Sequence, residues 1–388
     1  MVSRPAHCGQ GPVGGRTRVQ REGAALAGGL LAVGVLLSAC SGSSTAPPTG
    51  GTSASSSVSS TSSSPSSMPS STSGSSTSSS PTASSKPVVT PTLVDTTVYA
   101  PLTGVVTNRT AAAVPAVAAV VLWGAGTTGL AQADVTYQDA VAGGGRLVSL
   151  YQSTAAPTIG PLAGTQPSDG RLLDVIPAVL AHNSSKTGFV AALAALGVTG
   201  VRPDNYPNAF TYGVGGTFTS TTAIRNAVPS KLKTPAGGLL AFASLGDAFA
   251  HLGQRPATTV SIGLPGITVP FTWTFNISSG LWTPGPGTPG VPVNNLIIQL
   301  VTTKSISLDR GNTIYGLIPL LTGRGTETAV SSTTSGGKLA GVGASGVWNK
   351  PGDNVLTTYG DAQSFPLRFA RGHTWVVLVP STTKVTLS

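Results

Sequence analysis

Asp134 and Asp139 come shortly before Arg146, and Asp169 and Asp174 shortly before His182. Two carboxylates with a nearby histidine are the groups that hydrolysis of a glycosidic bond needs. One protonated acid serves the leaving oxygen, and one carboxylate activates water or attacks the sugar. A plainer reading competes with this one: solvated aspartates at strand and helix ends, and a histidine beside a strand end. No G-x-S-x-G, H-E-x-x-H or paired-cysteine motif accompanies these residues. Of the 4 histidines, His7 lies in the leader, and His182, His251 and His373 are too spread to suggest a metal cluster. No cofactor is expected.

The run Gly124-Ala125-Gly126-Thr127-Thr128-Gly129 spells the dinucleotide fingerprint G-x-G-x-x-G after a predicted strand. A helix should follow such glycines, and an acid should stand about 20 residues on. The stretch around Ala133 to Tyr137 instead looks extended, and no acid stands near Ser149, so the run is expected to be a tight loop. Phe271-Thr272-Trp273-Thr274-Phe275 puts its aromatics on one face of a strand, with Trp282 soon after. Such a stripe is more often core than a platform for sugar.

The elements that position these residues follow from the apolar pattern. Residues 116–123 read as a buried strand, with strands at 134–139 and 146–152 around a glycine turn. A helix is expected over 167–175 with Ser168 as a cap, and a strand over 179–182. A second helix over 186–196 has Phe189, Leu193 and Leu196 at i, i+4 and i+7 and is stopped by Gly197. Residues 221–228 and 245–252 are weaker helices. From about residue 257 the pattern turns to strands, at 269–275, 296–302, 314–320, 339–348, 367–369 and 374–379, separated by Gly/Pro clusters. The expected class is α+β: a mixed α/β N-terminal lobe over 93–255, then a β-rich C-terminal lobe over 256–388, with the boundary near Arg255.

The leader gives the address. Arg4, Arg16, Arg18 and Arg21 precede an apolar or glycine run over 24–39, the charged-then-apolar order of an export signal. Leu37-Ser38-Ala39-Cys40 matches a lipobox, so the signal peptide is expected to be 1–39 and Cys40 to become a lipidated N-terminus. Two or more acyl chains make such anchoring stable. The other cysteine, Cys8, leaves with the signal, so no disulfide or thiol chemistry is expected in the mature chain. Residues 40–92 form a Ser/Thr/Pro-rich segment whose one charged residue is Lys86, too poor in apolar side chains to order itself. It reads as a disordered tether with the composition of an O-glycosylated stalk.

The formal net charge is +10. Arg4, Arg16, Arg18 and Arg21, offset by Glu22, contribute part of it and leave with the signal. The remaining cations are scattered singly rather than striped, which excludes a nucleic-acid footprint and leaves at most weak attraction to anionic lipid or wall polymer.

Pro101-Leu102-Thr103-Gly104, Gly129-Leu130-Ala131-Gln132-Ala133-Asp134-Val135-Thr136-Tyr137, Gly160-Pro161 and Ala181-His182 resemble the N-terminal half of the YerB-like lipoproteins. Asn295-Leu296-Ile297-Ile298-Gln299-Leu300-Val301, Trp348 and Gly372-His373-Thr374-Trp375-Val376-Val377-Leu378-Val379-Pro380 resemble their C-terminal half. The resemblance runs from about Tyr99 to the end. It implies an envelope location, two lobes and a domain of unknown function with no established reaction. Gln138 stands where the family usually has a second acid, Ala163 and Gln166 where it has arginines, and Val121 and Leu122 where it has a polar pair. A ligand pocket built on those charges in relatives would be largely lost here.

Ligands in an α/β sheet favour the crevice beyond the strand ends. Tyr137, Arg146, Gly160, Gln166 and His182 are therefore the expected pocket residues, with Arg146 as the cation for an anionic wall component. The leading expectation is a non-catalytic, lipid-anchored binding or scaffolding protein on the extracytoplasmic face of the cell membrane. Its expected partners are the membrane through Cys40, and cell-wall polymer or envelope proteins. The alternatives are a wall-glycan hydrolase using Asp134 or Asp139 with His182, and a small-ligand-binding lipoprotein.

Overall fold

The computed structural model describes residues 97–388 except 142–144, 186, 233–237, 245–247, 250–253 and 308–314. The leader, Cys40, the tether and most of the weak helix expected over 245–252 lie outside the described residues.

An 11-stranded sheet organises the chain. Across it the strands run Arg255–Pro256, Lys338–Lys350, Gly323–Ser335, Asn295–Val301, Thr374–Pro380, Val135–Asp139, Arg146–Tyr151, Val117–Leu122, Val179–Ala181 and Thr199–Val201, with Thr358–Asp361 also paired to Lys338–Lys350. Strand Thr374–Pro380 is parallel to both neighbours, in register Thr374 with Asn295 on one side and Thr374 with Val135 on the other. Strands Val117–Leu122 and Thr374–Pro380 are almost unbroken apolar runs because they are covered on both faces, and Asn295–Val301 is apolar apart from the buried Asn295 and Gln299.

One face carries Val121, Leu147, Ile298 and Trp375. It packs on a second, antiparallel sheet of Leu281–Pro284, Phe271–Asn276, Thr259–Gly263 and Lys384–Leu387. The aromatic stripe is core here. Trp273 and Trp282 are fully buried, the Trp273 ring lies 5.8 Å from that of Trp375, and Phe275 lies 5.4 Å from Trp282. The opposite face, with Val148, Leu180 and Val376, is covered by Leu173, Leu193, Phe249 and Phe369.

The protein is β-rich, with short helices at Arg109–Ala112, Asp169–Leu173, Thr187–Ala195 and Thr221–Ala227. Ser220 caps the last, its hydroxyl accepting from the Ala223 amide at 3.0 Å. Ser168 occupies the N-cap position of Asp169–Leu173 without a side-chain cap bond. The boundary expected near Arg255 falls on a strand of the main sheet, and residues from both sides of it pair in that one sheet. Residues 124–129 form a loop closed by Thr127, whose hydroxyl receives the Gly124 amide at 2.8 Å, and a single 3-10 turn, Leu130–Gln132, follows. Residues 367–369 contribute only an isolated bridge, Phe242 with Phe369. Among the described residues no helix is long and apolar enough to cross a membrane.

Candidate functional site

Arg146 starts its strand at the edge where the parallel strands end, opposite Asp139. Its guanidinium donates to the Asp169 carboxylate and to the Gly164 carbonyl at 3.3 Å from both Nε and Nη2. Asp169 is fully buried, and its Oδ2 also accepts from the Thr165 hydroxyl at 2.7 Å and the Gln166 amide at 2.8 Å. Arg146 thus clamps the start of helix Asp169–Leu173 onto the sheet. Its charge is already matched, so it is not the open cation that the sequence suggests for an anionic wall component. Arg146→Ala is expected to lower stability by about 2 kcal/mol, since Asp169 keeps two of its donors. Urea unfolding checks this: an unchanged midpoint would mean that the pair is solvated.

His182 is fully buried beside this cluster. Its Nδ1 lies 2.7 Å from the Asn183 carbonyl, which can only accept, so Nδ1 carries the proton. Nε2 is buried without a partner and points at Gly200, where a Cβ would lie 2.7 Å away. Burial pushes the imidazole below its usual value, against the opposing effect of the Asn183 carbonyl and Asp169. A sealed neutral imidazole of this kind packs the sheet edge and does not meet solvent.

Gly160 belongs to the same edge through its backbone. Its carbonyl accepts from Thr128 N at 2.7 Å, and its φ of +147° suits glycine. A Cβ there would lie 2.8 Å from Phe218 Cδ1 and 2.9 Å from the Thr217 carbonyl. Gln166 is half-buried, with its side-chain Oε1 unpartnered. Tyr137 lies on the same face of the sheet as Arg146 but lines a different space, with Gln299, Lys350 and Tyr359. That cavity is about 20 Å³, enough for one water. Burial, and then the charge of Asp174, push the Tyr137 phenol up. The structure therefore brings Arg146, Gln166 and His182 to one edge with Gly160 at its rim. Tyr137 sits apart.

The acids considered for hydrolysis are similarly committed. Asp134 is fully buried; its Oδ2 accepts from the amides of Gln152 at 2.6 Å and Ser153 at 2.9 Å, and its Oδ1 from the Ser153 hydroxyl. Burial raises its pKa against those bonds. Asp134 stands at the start of its strand, whereas His182 follows the end of a strand running the same way, so the two occupy opposite edges of the sheet. Asp139 shares an edge with His182 but is buried, with Oδ1 held by the Val141 amide, and three strand spacings of about 4.8 Å separate the two strands, roughly 14 Å. Among the described residues no group of three or more metal-ligating side chains comes together.

A ligand-sized space lies elsewhere. A groove of about 680 Å³ opens between residues 205–209 and 220–227, lined by Asn205, Tyr206, Asn208, Ser220, Thr222 and Asn226. Hairpin Phe210–Gly213 with Gly216–Thr219 returns the chain on itself and brings the two segments together. Asn205, Asn208 and Asn226 are exposed, and no charged side chain lines the groove.

Residues 102–231 match the family described as "Protein of unknown function (DUF3048) N-terminal domain". The fold matches the crystal structure of the YerB protein from Bacillus subtilis with a TM-score of 0.59 and 18% sequence identity, over 74% of this chain and 99% of that one. The chain carries a YerB-like domain of unknown function. No curated protein gives a significant match.

In the YerB-like domain the groove residues fall inside the family match, yet no motif marks them. Asn205, Tyr206 and Asn208 flank Pro207 in a turn, and Asn226 lies on a helix capped by Ser220. The usable signal was that cap followed by exposed amides, with a turn of the same composition a hairpin away.

Proposed function

We propose that the chain is a lipid-anchored extracytoplasmic binding protein, fixed at the cell membrane through Cys40, that holds a neutral stretch of cell-wall polymer in the groove between residues 205–209 and 220–227 without altering it. The lipobox at residues 37–40 supports the anchor, and the segment 40–92 serves as tether. Residues 93–255 and 256–388 act as an α/β lobe and a β-rich lobe joined by the shared sheet. The observation that carries the binding role is the groove itself: about 680 Å³, open, uncharged, and lined by three exposed amides with a tyrosine. Each amide both donates and accepts, which suits the paired hydroxyls of a neutral sugar chain. The burial of Asp134 and His182 favours binding over hydrolysis.

The test uses full-length protein extracted from membranes in detergent and co-sedimented with insoluble peptidoglycan. Wild type should sediment with the wall, and the double variant Asn208→Ala/Asn226→Ala should bind about tenfold more weakly, the loss of two ordinary hydrogen bonds. Cys40→Ala should leave the membrane fraction. Equal sedimentation of the double variant would remove the groove from the proposal, and release of soluble wall fragments would replace it with the hydrolase reading.

A further inference from the structure

The groove between residues 205–209 and 220–227 has an inner arrangement as well as a size. Carboxamides stand on both of its sides: Asn205 and Asn208 on the segment before the hairpin, and Asn226 across from them on helix Thr221–Ala227. Between them the lining is methyl-sized. Ala209 is 5% exposed. Ala223 and Ala227, half-buried and one helical turn apart on the same face, pack against the core cluster that holds Phe210 and Ile224. Arg225, on the same helix, is committed elsewhere: its guanidinium donates to the Pro115 carbonyl at 3.2 and 3.3 Å and to the Tyr151 carbonyl at 3.4 Å. Among the described residues, then, the groove is lined by amides, hydroxyls and methyl groups and by no charge.

A secondary amide is planar and trans, so its N–H and its C=O point in opposite directions. Reading both takes an acceptor on one side and a donor on the other. A carboxamide supplies either one, and this groove has carboxamides on each side. The acetamido group of an N-acetylated sugar is such an amide, and it ends in a methyl whose burial against alanine side chains is favourable. A plain hydroxyl at the same ring position has neither the carbonyl nor the methyl. A peptide presents the same amide but continues through a branched Cα where the acetyl group ends.

We propose that the groove selects N-acetylated sugars, with one acetamido group held between Asn226 on one side and Asn205 and Asn208 on the other, and its methyl on the floor of Ala209, Ala223 and Ala227. This rests on the reading of the groove as a site for neutral wall polymer and names the chemical group it selects. The remaining ring hydroxyls are left to Thr222, exposed on the same helix.

The test titrates full-length protein, in a detergent without a sugar headgroup, with three probes followed by calorimetry. They are tetra-N-acetylchitotetraose, cellotetraose, which has hydroxyls in place of the acetamido groups, and tri-alanine acetylated and amidated at its ends. The N-acetylated tetramer should bind at least about tenfold more tightly than cellotetraose, the effect of two hydrogen bonds and a buried methyl. Asn226→Ala should narrow that preference, and Ala223→Leu, which fills the floor, should abolish it, each with an unchanged circular dichroism spectrum. Equal binding of the two tetramers, tighter binding of the blocked peptide, or no binding of the N-acetylated tetramer up to about 10 mM would overturn the proposal. The wall-polymer reading is judged separately, by whether Asn208→Ala/Asn226→Ala weakens sedimentation with peptidoglycan. The comparison of the two tetramers needs no variant, so it decides the matter even if Ala223→Leu folds poorly.

Discussion

Replacing Lys350 by alanine is expected to destabilise the protein by about 3–5 kcal/mol, the usual consequence of removing one partner from a buried ion pair. The Lys350 side chain is 2% exposed and that of Asp174 0%, with 2.8 Å between Nζ and Oδ1. Nζ also donates to the Val355 carbonyl at 2.6 Å, and Asp174 Oδ2 accepts from the Asn354 amide at 2.9 Å. Alanine would leave a buried carboxylate with one backbone donor and no counter-charge. The same pair fastens the far end of helix Asp169–Leu173 to the turn after strand Lys338–Lys350, so its loss frees two elements together. Urea unfolding should show a lower midpoint with the slope unchanged. Lys350→Met with Asp174→Leu, which removes both charges and keeps volume, should regain most of the loss. A single-variant loss below about 1 kcal/mol would mean that the pair is effectively solvated.

Glu327→Gln is expected to have the opposite sign and to depend on pH. Glu327 sits on strand Gly323–Ser335 opposite Gln299 and Gly346, 2% exposed, with neither carboxyl oxygen hydrogen-bonded. Burial raises its pKa well above the ordinary 4.5. Between the unfolded and folded values the native state keeps a proton that the unfolded chain releases. Stability therefore falls as pH climbs above 4.5, by about 1.4 kcal/mol per pH unit, until Glu327 ionises in the folded protein. Glutamine has no such proton to hold. The variant should match wild type near the ordinary carboxyl pKa and exceed it increasingly as pH climbs, the gap levelling off once Glu327 ionises in the folded protein. Asp134, also raised by burial, is common to both proteins and cancels in the difference. Unfolding curves that stay parallel across that range would refute the assignment.

Some of this architecture was legible in the residues and some was not, for physical reasons. Val117–Leu122 and Thr374–Pro380 announce themselves because burial on both faces demands unbroken apolar runs. Gly323–Ser335 does not, because its interior is satisfied through hydroxyls: Ser331 donates to Asn295 Oδ1 at 2.6 Å, and Ser332 to the Gly280 and Asn294 carbonyls. A run rich in serine and threonine reads as loop when its partners are distant. The edge that gathers Arg146, Gln166 and His182 follows from strand order. That Asp169 takes up the charge of Arg146 was not, since a carboxylate at a helix start looks solvated until something covers it. The juxtaposition of Tyr137 with Lys350 depends on which strands become neighbours, and nothing local encodes that.

Strand Thr374–Pro380 has a bearing on how the molecule is assembled. It fills the middle of the sheet, and its Trp375 Nε1 donates to Gln138 Oε1 at 2.9 Å across a sequence separation of 237 residues. Closing so long a loop costs entropy before any contact offsets it, and topologies rich in such contacts fold slowly. Until then the Val135–Asp139 strand has an open hydrogen-bonding edge, the kind of edge that pairs with other chains. Residues 102–231 are thus a unit of sequence likeness without being a unit of folding, because their inner edge is completed only from far downstream.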